Sequence, residues 1–249
     1  MNDVFQSFDI QSTLNPLIWM NAESNDFMTI KLFPDIRKHL LSVTDLFMES
    51  IKFKNLDVED IIFTGSLANY NWSNYSDIDL HIIVDKKRIA VNPEVLDDYF
   101  TIKKDSFNTK HKIKIKNFDV EVYVQDVDEQ TIALGMYSVL LNQWIKQPNI
   151  NRAIIDKNNI AKKVKSFIDQ IHLIDYKIKQ NESPAEIVAM IQALKDKIKK
   201  YRKSGLASGG EYSDENLVFK YLRRTQYLQK LSEYKIQTID RMLSLQEIE

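Results

Sequence analysis

Cysteine is absent from the 249-residue chain, and glycine and proline are scarce, at five residues each. The missing cysteine excludes a disulfide framework, a thiolate zinc site and a cysteine nucleophile together. Long apolar runs are missing too: nothing approaches the roughly 18 consecutive apolar residues of a membrane span. The first residues, MNDVFQSFDIQSTLNPLIWM, have neither a basic start nor an apolar stretch of signal-peptide length. An excess of one charge is also lacking, with 34 Lys and Arg against 35 Asp and Glu, so no global field draws the molecule to nucleic acid or to an anionic membrane. These absences set the expectation of a soluble, cytoplasmic protein with no membrane partner. In that setting the Asn-x-Ser matches at Asn71, Asn74 and Asn181 carry no weight as glycosylation sites.

What the chain does contain is enough apolar residue, 44% of the total, for one good core or a core with a smaller helical module. From Pro34 to Phe53, Ile36, Leu40, Val43, Phe47 and Ile51 step by three or four, one face of an amphipathic helix. The short β-branched runs 60–64 and 78–84, each bounded by Gly, Asn, Ser or Asp, read as buried strands. Pro93 followed by Val95, Leu96, Tyr99 and Phe100 predicts a helix with proline in its first turn. Lys112 to Lys116 and Asp119 to Gln125 alternate as two strands, with Asn117 and Phe118 at the turn between them.

The sum is an α+β fold, in which a small mixed sheet with helices on one side occupies residues 30–127. Residues 1–29 form an N-terminal extension that could pack as a short helix around Leu17, Ile18, Trp19 and Met20. From 128 to 249 the chain reads as a helical domain, with helices at about 130–146, 157–179, 184–203 and 213–245. Ser183 and Ser213 are the N-caps of two of them. Three glycines between Gly205 and Gly210 mark that segment as the hinge or loop candidate.

The chemistry concentrates in one stretch. A strand ends in Gly65-Ser66, ten residues follow, and a second strand begins with Asp77-Ile78-Asp79. Residues i and i+2 of a strand share a face, so the two carboxylates lie side by side and repel unless a cation sits between them. Oxygen ligands without cysteine or clustered histidine favour a hard ion, Mg2+ or Mn2+, over zinc. Such ions travel with phosphates. A Gly-Ser at a strand-to-helix corner lets the backbone approach a phosphate and adds a hydroxyl donor.

Apolar strand, Gly-Ser, this spacer and Asp-x-Asp between apolar residues resemble the DNA polymerase β-like nucleotidyltransferase superfamily over residues 60–85. The resemblance implies an enzyme that moves a nucleoside monophosphate from a nucleoside triphosphate such as ATP to an acceptor hydroxyl and releases pyrophosphate. By the same likeness Gly65 and Ser66 match the nucleotide-binding pair, and Asp77 and Asp79 match the acids that hold two divalent metals. A third acid on a neighbouring strand completes the family's site. Asp119 and Glu121 both offer it, and Glu121 is preferred because valines flank it while Asp119 borders the turn. The family more often has aspartate there.

More narrowly, Ala68 to Trp72 and Gly209 to Arg224 look like predicted nucleotidyltransferases of tailed bacteriophages, a sequence class that names no acceptor.

Other residues are open to two readings. His81 lies two positions after Asp79, facing the site or hydrogen-bonded in the core, while His39, His111 and His172 have no metal-ligand spacing. Asn69, Tyr70, Asn71 and Trp72 belong to a base or acceptor pocket or to loop packing. Lys195, Lys197, Lys199, Lys200, Arg202 and Lys203 are dense enough to follow a phosphate backbone, and also suit simple solvation of a helix end. Lys220, Arg223 and Arg224 are alternative triphosphate ligands. An RNA or tRNA 3′ end is the first acceptor expectation, followed by a protein side chain or a small molecule. A nucleotide-binding protein without turnover is the non-enzyme alternative.

Overall fold

The computed structural model describes residues 2–53, 56–89, 91–130, 133–150 and 154–244. The chain divides into two compact units, Asp9–Arg152 and a second made of Met1–Phe8 with Ala153–Glu249.

The second unit opens with the short helix α1 (Asn2–Gln6), whose remaining partners come from the far end of the chain. In the first unit β1 (Trp19–Met20) pairs antiparallel with β2 (Lys31–Leu32). Trp19 and Met20 are therefore in a two-residue strand and not in the short helix that Leu17 to Met20 suggested. Helix α2 (Pro34–Glu49) follows the predicted stripe, with Ile36, Leu40, Val43 and Phe47 buried. Strands β3 (Val58–Thr64) and β4 (Ile78–Val84) pair antiparallel. Helix α3 (Pro93–Lys110), capped by the Asn92 side chain, carries the chain across to β6 (Phe118–Asp126), parallel to β4. Parallel neighbours need such a crossover, because a tight turn reverses direction. The hairpin partner of β6 is β5 (Lys114–Ile115), and Lys116 and Asn117, both at positive φ, make the turn. Phe118, placed at that turn by its sequence neighbours, is instead the buried first residue of β6.

Two further strands, β7 (Met136–Ser138) and β8 (Gln143–Lys146), extend the sheet to the order β5-β6-β4-β3-β7-β8. They replace the helix expected at 130–146. Leu134, Met136, Tyr137, Val139 and Leu140 have neither a clean two- nor a clean 3.6-residue period, and long-range packing decides. Tyr137 lies opposite Phe63 on β3, and Trp144 stacks on Trp19 with centroids 4.6 Å apart.

Alternation fixes the sheet's two faces. Ile78, Leu80, Ile82, Val120 and Val122 are buried in the same hydrophobic core as the apolar stripes of α2 and α3, whose Phe47 and Phe107 rings meet edge to face at 5.2 Å. Asp79, His81, Glu121 and Tyr123 occupy the alternate positions.

The helical unit contains α4 (Lys157–Lys179), α5 (Pro184–Gly209), α6 (Asp214–Arg224) and α7 (Tyr227–Leu243). Its apolar centre includes Phe8, Ile160, Ile171, Ile191, Leu217 and Leu231. The helix expected at 213–245 is two helices, broken where Gln226 takes a left-handed conformation at φ 63; residue 245 lies outside the described residues. The hinge expected at Gly205 to Gly210 is helix as far as Gly209. Gly205 serves contact rather than bending: a Cβ there would overlap the Glu215 side chain of α6. No described helix is long and apolar enough to cross a membrane.

Candidate active site

Strand β3 delivers Gly65 to a corner that only glycine tolerates. Its φ of 79° is in the left-handed region, and a Cβ there would collide with Asp79 Oδ2. The register explains the proximity, because Thr64 is the cross-strand partner of Asp79. A short 3-10 turn, Ser66–Ala68, follows with no side-chain cap. The Ser66 hydroxyl donates to Ser76 Oγ at 2.7 Å, and Ser76 Oγ also accepts from the Ser73 amide at 3.0 Å. Ser66 and Ser76 thus join the two ends of the ten-residue spacer.

Three acids converge below that corner. Asp77 immediately precedes β4, Asp79 is its second residue, and Glu121 lies opposite Asp79 in the parallel register. One carboxylate oxygen from each lies within 4.8 Å of the others, and all three residues are half-buried. At an effective dielectric near 20, like charges at about that distance repel by on the order of 3 kcal/mol per pair before solvent screening. Three oxygen donors at this spacing suit a hard divalent ion. The other third-acid candidate, Asp119, is exposed and pairs with Lys114 across the hairpin at 2.8 Å. The structure thus groups Glu121, and not Asp119, with the aspartate pair.

A polar layer supports Glu121. The Tyr123 hydroxyl donates to Glu121 Oε2 at 2.6 Å. Burial, the bond to Glu121 and the nearby charges of Asp79 and Asp77 push the phenol far above its usual range, so it stays protonated and acts as a donor. Beside it His81, 5.0 Å away between ring centroids, donates from Nδ1 to Gln125 Oε1 at 2.8 Å. The Gln125 amide nitrogen in turn donates to the Glu129 carbonyl at 2.9 Å. Burial outweighs the Gln125 bond and the Glu129 charge and depresses the imidazole pKa, keeping His81 neutral. Both readings of His81 are therefore partly met: it sits on the site face and is hydrogen-bonded there.

The spacer residues are packed. Asn69 and Tyr70 are buried, and the Trp72 indole nitrogen donates to the Thr13 carbonyl at 2.9 Å. Residues ahead of the motif hold it from below: Trp19 Nε1 donates to the Leu67 carbonyl at 2.7 Å and the Gln11 amide to the Tyr70 carbonyl at 2.7 Å. No local signal announces Trp19, which acts on a loop 48 residues away. Asn108 was equally silent; its side chain exchanges two 3.1 Å hydrogen bonds with the Val122 backbone and ties the end of α3 to β6.

Beside Asp77 and Glu121 opens a cleft of about 510 Å³ whose lining includes Asn74, His111, Lys112 and Lys114. His111 belongs to this rim, while His39 Nδ1 contacts its own helix at the Asp35 carbonyl, 2.7 Å away. His172, in the helical unit, packs its ring 6.0 Å from Tyr227.

Two of the alternative phosphate ligands are engaged inside the helical unit. Lys220 pairs with Glu211 at 2.8 Å. Arg224 donates to the Ser7 hydroxyl at 2.6 Å and lies over the Phe8 ring. Arg223 is exposed.

A family model described as a nucleotidyltransferase domain matches residues 45–135, a little over a third of the chain, from within α2 to the residue before β7. No curated protein and no solved structure matches.

Proposed function

We propose that the chain transfers a nucleoside monophosphate from a nucleoside triphosphate to an acceptor hydroxyl, releasing pyrophosphate, a reading supported by the match of residues 45–135 to a nucleotidyltransferase domain model. The observation that carries this reading is the convergence of Asp77, Asp79 and Glu121 directly under the Gly65 corner.

In the proposed reaction the acceptor oxygen forms a bond to the α-phosphorus while the bond from that phosphorus to the β-bridging oxygen breaks. Asp77, Asp79 and Glu121 would hold Mg2+ or Mn2+. Such an ion, when bound, neutralises triphosphate charge and lowers the pKa of the acceptor hydroxyl. Gly65 lets the triphosphate approach the backbone, and Ser66 exchanges its Ser76 partner for a phosphate oxygen. Glu121, whose Oε2 accepts from Tyr123, would also take the acceptor proton. An RNA 3′ end is the first choice of acceptor, on the strength of the basic segment from Lys195 to Lys203.

Incubating the protein with Mg2+ or Mn2+, each labelled triphosphate and total cellular RNA tests the reading. Label is expected in the RNA fraction and absent from an Asp77→Asn/Asp79→Asn control. Label in protein or in a small molecule would move the acceptor to that class, and label in no fraction would overturn transfer altogether.

Tyr123 makes a sharper test of the geometry. A glutamate has one more rotatable bond than an aspartate, and the Tyr123 hydroxyl fixes its end. Residues that orient a metal ligand from behind are worth about 10–100-fold in metal affinity. Tyr123→Phe is therefore expected to raise the Mg2+ concentration for half-maximal activity about tenfold with little change in melting temperature. An unchanged Mg2+ requirement would mean that Glu121 needs no such support.

A further inference from the structure

Beyond the transfer reaction, and without depending on it, we infer that a groove between α5 and α7 in the helical unit is a binding site for a nucleotide phosphate. The groove has a volume of about 480 Å³, with Lys195, Lys199 and Arg202 on one wall and Ile198, Phe219 and Leu231 among its apolar residues. That size is within the range of small-molecule sites. The three cations are at positions i, i+4 and i+7 of one helix, so they share a face over about 10 Å of its length.

Lacking an acidic partner is shared with other basic residues of the unit, among them Lys197 and Lys235, which donate to amide oxygens; what distinguishes these three is that they line one groove. Lys163, Lys165, Lys177, Lys179 and Lys220 each pair with a carboxylate. Among the described residues Lys195, Lys199 and Arg202 make no ion pair. Lys195 only donates to the Ser232 hydroxyl at 3.0 Å. The one carboxylate lining the groove, Asp196, is held by the Gln192 amide at 2.9 Å. Three cations thus face one acid.

Arg202 is also held from behind. Its Nε donates to Asn216 Oδ1 at 3.2 Å, and the guanidinium carbon lies 4.2 Å from the Phe219 ring centroid. Asn216 is fully buried and donates from Nδ2 to the Glu211 carbonyl at 2.7 Å, while Glu211 binds the half-buried Lys220. A half-buried ionic network of this kind in a small helical unit brings little net stability. What it achieves here is a guanidinium locked at Nε and on one ring face, with its two terminal nitrogens left for a ligand. A fixed guanidinium fork flanked by lysines and an apolar floor is complementary to a phosphate joined to a flat ring. A free mononucleotide and the end of an RNA strand present the same chemistry.

The test is equilibrium binding to the full chain in EDTA, which removes any divalent ion from the acid cluster, using adenosine 5′-monophosphate and a 5′-phosphorylated hexa-adenylate as probes. Native protein is expected to bind at least one probe with Kd below about 1 mM. Lys195→Gln/Lys199→Gln/Arg202→Gln should weaken that binding at least tenfold, and Arg202→Lys should weaken it in part, because the planar fork is lost and the charge kept. Binding of both probes would assign the groove to mononucleotides. Binding of the hexamer alone, with a salt slope that drops by about 2 in the triple variant, would assign it to an RNA end. Equal binding by native and triple-variant chains, or no binding of either probe at 1 mM, overturns the inference. An unfolded triple variant is recognised by circular dichroism, and Lys195→Gln/Lys199→Gln, confined to the groove wall, then takes its place.

Discussion

Gly65→Ala is expected to cost the first unit about 3 kcal/mol of stability and to remove transfer activity. Two effects add. The backbone at φ 79° disfavours any side chain, typically by about 1 kcal/mol or more. The new methyl also overlaps Asp79 Oδ2, and a carboxylate on a β-strand between buried Ile78 and Leu80 has little room to retreat. For a unit of this size the loss corresponds to a fall on the order of 10 °C in melting temperature. Activity should drop further than unfolding accounts for, to below about one part in a thousand at a temperature where the variant is fully folded, because any retreat of Asp79 breaks the acid cluster. Thermal melts paired with activity assays at 20 °C measure the two effects separately. A variant that melts like the native chain and retains a tenth of its activity would show that the corner can open and that Asp79 need not stay beneath it.

Asp77→Asn and Asp79→Asn should each reduce turnover by about a thousandfold or more, roughly 4 kcal/mol of lost transition-state stabilisation, while leaving the fold intact. The stability side distinguishes a catalytic acid from a structural one. Three carboxylate oxygens within 4.8 Å of one another oppose folding in the absence of a cation, so Asp77→Asn without metal should melt at or above the native temperature. Saturating Mg2+ should stabilise the native chain, by about 2.7 kcal/mol at a hundred times the dissociation constant, and the substituted chain much less. Melting curves with and without Mg2+ read this directly. If Asp77→Asn lowered the melting temperature by several degrees in EDTA, the carboxylate would have a structural role that the ion-binding reading does not include.

The parts of this molecule legible in sequence were those whose signal is local. The stripe of α2 and the paired strands around Gly65-Ser66 and Asp77-x-Asp79 each occupy one continuous stretch with its own period. Glu121 was readable for a different reason, since the flanking valines Val120 and Val122 marked it as interior to a strand, but only the parallel register placed it opposite Asp79. What escaped was non-local. Strands β7 and β8 have three and four residues, too short for any period, and are held by Tyr137 and Trp144 against Trp19. Tyr123 gave no sign of its role, because alternation says which face a residue occupies and not which neighbour its hydroxyl reaches. The glycines of 205–210 divide between two uses of a missing side chain: Gly210, at φ 68, ends α5, while Gly205 lies inside the helix against Glu215 of α6.

The parallel pairing of β4 with β6 has a consequence for how the site is assembled. Asp79 and Glu121 face each other only after the intervening crossover, helix α3 included, has folded and returned the chain to the same edge. The Gly65-to-Asp79 stretch by itself therefore carries two of the three clustered acids and no means of fixing the third. A peptide or a grafted loop bearing that motif would lack the affinity of the whole. Occupation of the acid cluster by an ion and correct registry of Asp79 and Glu121, joined through the α3 crossover, would be thermodynamically one event. The ion would act on the chain as a clasp across the parallel pairing of β4 with β6, and its release would loosen the sheet at the place where the chemistry is proposed to occur.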